Sequence, residues 1–68
     1  SFIKFELLFK KLKFTNLKNK KNQYLSTVLC DNDYQQEEEL KFIDKNDFKE
    51  MYFGLGQISK IKKYFENN

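Results

Sequence analysis

Aromatic side chains run the whole length of this 68-residue chain, from Phe2 to Phe65, eight phenylalanines and four tyrosines with no proline among them. A chain this short buries only about 60% of the surface its unfolded form exposes. Large rings must therefore supply most of the core, each contributing roughly 1.5–3 kcal/mol when fully buried. Because those rings come from both ends and the middle, residues 1–68 are expected to form one small domain. Their spread also argues against disorder, even though 34% of the residues are charged.

Charge is partitioned along the chain. Residues 1–22 carry seven lysines against Glu6, a net of +6; residues 23–50 carry three lysines against eight acids, a net of −5; the remainder is +2, giving +3 in all. A fold that joins the two basic ends would present a positive face, and such faces meet polyanions. Arg, His and Trp are absent, so anion contacts would be made by lysine ammonium groups, which position a polyanion without reading its sequence.

Reaction chemistry finds little support. Cys30 is the only cysteine and no histidine is present, so neither an internal disulfide, a metal cluster nor an activated thiol nucleophile can be assembled around it. No enzyme, metal or other cofactor is expected, and a reducing, cytoplasmic setting is the simplest assignment. Gly54-Leu55-Gly56 lacks the fingerprint of a phosphate loop. Glu37-Glu38-Glu39, extended by Asp31 and Asp33, reads as a solvated edge. The opening residues, charged at Lys4 and Glu6, are expected to be neither a signal peptide nor a membrane span.

Ile3, Phe5, Leu7 and Phe9 alternate with Lys4, Glu6 and Leu8, as a half-buried strand requires, and the apolar parity flips after Lys10-Lys11, where a β-bulge would fit. A basic helix is the competing reading, disfavoured because Ile3, Leu7 and Phe14 would lie off its apolar face. Residues 15–22 read as a polar loop, residues 23–30 as a central strand, Asp31-Asn32-Asp33 as a turn and residues 37–43 as a third strand with Leu40 and Phe42 inward. Asp47 opens a capping box, with Phe48, Met51, Tyr52 and Leu55 following at helical spacing and Gly54 as cap, which predicts a helix over 47–53. Residues 57–66 fit a helix or a strand, with helix preferred. Phe5, Leu7, Phe9, Leu25, Leu29, Leu40, Phe42, Phe48 and Met51 are the expected core.

The expected fold is α+β, a small curved antiparallel sheet of about three strands packed on a short helix. A long bent strand, two more strands and a helix in that order resemble the beginning of an oligonucleotide-binding barrel over about two-thirds of the chain, which implies a minimal OB-like barrel.

On this reading the protein is a small nucleic-acid-binding protein, sequence-tolerant and directed to single strands, of the accessory kind found in phages and mobile elements. Lys10, Lys11, Lys13, Lys18, Lys20 and Lys21 would hold the backbone, and Phe14 and Tyr24 would stack on bases. The alternative is a protein-interaction module, an inhibitor or subunit, docking on a larger partner through exposed aromatics and the acidic band. Either reading leaves room for oligomerisation. A third, binding to a membrane surface, requires residues 3–13 to be helical.

Overall fold

The computed structural model describes residues 2–67. Five short helical elements follow one another: α1 (Phe2–Lys11), α2 (Leu25–Asp31), a 3₁₀ helix (Glu37–Phe42), α3 (Lys45–Glu50) and α4 (Leu55–Glu66). No sheet or barrel is formed among the described residues; the only extended pairing is an isolated antiparallel bridge between Lys18 and Tyr24. The expected α+β sheet and OB-like barrel are therefore replaced by an all-helical fold.

Three strand expectations fail for one reason. In α1, Phe5, Leu8 and Phe9 recur at i, i+3 and i+4 and are buried, while Ile3 and Leu7 stand 65% and 60% exposed on the opposite side. Apolar residues on both sides of a helix imitate strand alternation. The parity change at Lys10-Lys11 marks no bulge, since both residues lie in the last turn of α1. In residues 23–30, Leu25, Val28 and Leu29 repeat the same spacing and are buried on α2. Residues 37–42 coil as a 3₁₀ helix that buries Leu40 and leaves Phe42 79% exposed, and Ile43 takes the core position instead. Leu7 and Phe42 are thus surface residues.

Helix α3 begins at Lys45, two residues before the expected capping box, with the Asp44 carbonyl accepting from Phe48 N–H at 3.1 Å. Helix α4 confirms the helical choice for 57–66: Ile58 and Ile61 are buried, and Phe65 packs at the margin of the core.

Helices α1, α2 and α3 end by the same device. Lys13, Asp33 and Tyr52 adopt positive φ (61°, 67° and 65°). At each stop the next residue donates five positions back: Phe14 N–H to the Phe9 carbonyl (3.0 Å), Tyr34 to Leu29 (2.9 Å) and Phe53 to Phe48 (3.1 Å). The positive-φ residues themselves donate three back, to Lys10, Cys30 and Lys49. These are Schellman stops, in which the residue after the left-handed position usually packs on the one five before it. Here Phe14 stacks on Phe9 (centroids 4.9 Å, planes 7° apart) and Phe53 tilts against Phe48 (5.0 Å). Gly54, the expected cap, has ordinary φ and opens α4, its N–H held by Gln57 Oε1 at 2.8 Å.

The core joins Phe5, Leu8 and Phe9 of α1 to Leu25, Val28 and Leu29 of α2, with Leu40, Ile43, Phe48, Met51, Phe53, Ile58 and Ile61 closing it.

Candidate functional site

The loop between α1 and α2 is built around Asn19, a buried polar side chain with every partner satisfied. Its Nδ2 donates to the Met51 carbonyl (2.8 Å) and Gln23 Oε1 (3.0 Å), and its Oδ1 accepts from Lys21 N–H (2.9 Å) and Gln23 N–H (3.0 Å). Lys20 N–H donates to the Tyr52 carbonyl (2.9 Å), so the loop is tied to the stop of α3. These bonds fix the loop backbone at Lys20 and Lys21. Lys18 Nζ lies 4.9 Å from the centre of the Tyr24 ring and Lys21 Nζ 4.6 Å from that of Tyr52.

The other expected contacts fall at the far end of α1. Lys10, Lys11 and Lys13 are exposed there, joined by α4: Lys60 Nζ donates to the Lys13 carbonyl (3.3 Å), and Lys11 Nζ lies 5.5 Å from the Tyr64 ring centre and 3.4 Å from its hydroxyl. The two basic ends of the chain thus meet. The eight residues expected to bind nucleic acid do not share one surface element. Phe14 is half-buried, stacked on Phe9, with Lys60 Nζ 5.8 Å from its ring centre. Tyr24 is exposed, with Lys18 over it.

A different surface is concave. Between α2 and α3 lies a groove of about 500 Å³, lined by Tyr34 and Tyr52, the carboxylates of Asp31, Asp47 and Glu50, the amides of Gln23 and Asn32, and the edges of the core residues Val28 and Met51, which are 9% and 8% exposed. The helical period explains the convergence: Val28 and Asp31 are three apart on α2, while Asp47, Glu50 and Met51 stand at i, i+3 and i+4 on and just beyond α3. No lysine lines the groove. Among the described residues no group of His, Cys, Asp and Glu has the arrangement of a metal site. These carboxylates read from sequence only as an acidic band; once the segments are helical, their three-residue spacing identifies the shared face.

Glu39 has a separate, structural role. Its carboxylate accepts from Gln35 N–H (2.6 Å) and Gln36 N–H (2.8 Å), and these two donors hold its pKa below the usual carboxylate value. It caps the 3₁₀ helix.

No helix among the described residues is long and apolar enough to cross a membrane. No protein-family model, curated protein or solved structure matches the chain.

Proposed function

We propose that this protein is a non-enzymatic protein-interaction module whose α2–α3 groove takes a segment of a partner protein bearing lysine or arginine beside apolar side chains. The observation that carries this reading is the placing of Asp31, Asp47 and Glu50 in one groove beside the rings of Tyr34 and Tyr52, with no lysine in the lining. Apolar area supplies affinity, and carboxylates select a cationic partner and speed its approach. The test is a titration of the isotope-labelled protein with a short amphipathic peptide of leucine and lysine, followed by amide shifts. Shifts should concentrate at residues 28, 31, 47, 50 and 51, and the variant D31N/D47N/E50Q should lose the binding while keeping its helical signal. Equal binding by parent and variant, or none by the parent, would remove the reading.

A second reading, polyanion binding through Lys18, Lys20 and Lys21, is favoured by the fixed backbone of their loop, where Lys18, Lys20 and Lys21 N–H donate to Asn16 Oδ1, the Tyr52 carbonyl and Asn19 Oδ1. It predicts oligonucleotide binding whose salt dependence becomes shallower by about one unit for each contacting lysine replaced by glutamine. The acidic-groove variant should leave that binding in place.

A further inference from the structure

The outward face of α1 has an unusual composition. Ile3 and Leu7, one turn apart, are exposed at its centre. By the 3.6-residue period, Lys10 borders this pair on one side and Lys4 and Lys11 on the other. The one acid of the helix, Glu6, is half-buried, where its Oε2 accepts from Ser26 of α2 at 3.4 Å. Lys4 donates to Gln36 Oε1 at 3.2 Å, beside the acidic 3₁₀ helix, so its charge counts for least. At the other end Lys10, Lys11 and Lys13 adjoin Lys60 and Lys63 of α4, which line a shallow depression with Leu12 and Tyr64. The face is apolar along its middle and cationic at its rim, with Glu6, the one acid of the helix, at its edge and bonded toward α2.

We infer that α1 is a docking face for an anionic lipid bilayer, with Ile3 and Leu7 entering the headgroup region and Lys10, Lys11 and the lysines beside them lying over lipid phosphates and carboxylates. Charge complementarity selects this occupant. A protein segment complementary to so basic a rim would have to be acidic, whereas a bilayer offers apolar depth for two protruding side chains and negative charge around them at once. The inference does not depend on the α2–α3 groove, whose carboxylates belong to other elements.

The test is co-sedimentation with vesicles of phosphatidylcholine alone and of phosphatidylcholine mixed with phosphatidylserine. The parent should bind the anionic vesicles and not the neutral ones. K10Q/K11Q should weaken binding by about 30-fold, from roughly fivefold per lysine near the surface. I3A/L7A should weaken it by about tenfold or more, with circular dichroism unchanged, because both residues are already exposed. The chain contains no tryptophan, so Leu7→Trp supplies a second readout: its emission should shift to the blue on adding anionic vesicles and stay fixed with neutral ones. Absence of parent binding, equal binding to neutral vesicles, or an I3A/L7A variant that binds as the parent does would overturn the inference. The last outcome would reduce the contact to surface lysines on a polyanion. D31N/D47N/E50Q should sediment at least as well as the parent, which keeps this result separate from that of the peptide titration.

Discussion

The lysine loop and the acidic groove teach opposite lessons about what a charge run means. In residues 18–21 the charges are dense in sequence, yet two of the three ammonium groups lie over rings of the protein's own tyrosines and the loop backbone is tied to α3. In the groove, carboxylates separated by up to nineteen positions along the chain line one concavity with Tyr34 and Tyr52 and no lysine. Clustering along the chain measured abundance of charge; helical packing decided which charges surround a concave surface. A cation over an exposed ring is worth roughly 0.5–1 kcal/mol, so the loop lysines stabilise the fold whether or not they also meet a ligand.

The largest test concerns the scaffold of the groove. Phe48→Ala should cost about 3–5 kcal/mol in urea unfolding, because the ring is fully buried at the start of the α3 stop and packs on Phe53. Phe42→Ala, at a highly exposed position, should stay within about 0.5 kcal/mol of the parent. Next in size, Asn19→Ala should cost roughly 1–3 kcal/mol, since it strips the Met51 carbonyl of its partner. Amides 20–23 should then exchange faster than the rest of the core. Lys21→Gln should cost about 0.5–1 kcal/mol if its charge is engaged with Tyr52. A melt identical to the parent's for both Asn19→Ala and Lys21→Gln would break the contrast, leaving the loop as loose as its sequence suggests.

The smallest effect is one of pH. Glu39 has a lowered folded pKa, so its contribution is present above the ordinary carboxylate range and is lost as pH falls through that lowered value. Protection of the Gln35 and Gln36 amides should fall on acidification, and Glu39→Gln should abolish this dependence.

Legibility followed the helical period. Helix α4 could be read because Ile58, Ile61 and Phe65 share one face and little on the other side competes with them. Helix α1 could not, because Ile3 and Leu7 add an outward apolar pair, and a two-sided apolar pattern fits a strand as well as a helix. The start of α3 was missed by two residues because the helix opens on a backbone bond, the Asp44 carbonyl accepting from Phe48 N–H, with no side-chain cap at Asp44 to mark it. The turn expected at Asp31-Asn32-Asp33 is formed, with Asp33 in the left-handed position, whereas the stop of α3 was assigned to Gly54 and is made by Tyr52, and the stop at Lys13 lay in a segment read as a strand. Their sequence signal is an apolar or aromatic pair five apart: Phe9 and Phe14, Leu29 and Tyr34, Phe48 and Phe53. Of the lysines of the expected interface, Lys10, Lys11, Lys13, Lys20 and Lys21 are exposed and Lys18 is half-buried, and Phe14 stacks on Phe9 in a contact that only the turn creates. The groove brings together residues of α2, α3 and the turns that follow them, a long-range arrangement that no local pattern encodes.

Each of the three Schellman stops closes its hydrogen bonds within six residues, and in two of them a ring pair packs in the same span. Chain reversal therefore requires no distant partner and little loop-closure entropy. The search for the native arrangement becomes one of joining preformed corners, the regime in which small helical domains fold in microseconds to milliseconds. A substitution at Phe14 or Phe53 would then slow folding as well as loosen the folded state, because the corner it weakens must form early for the helices to meet.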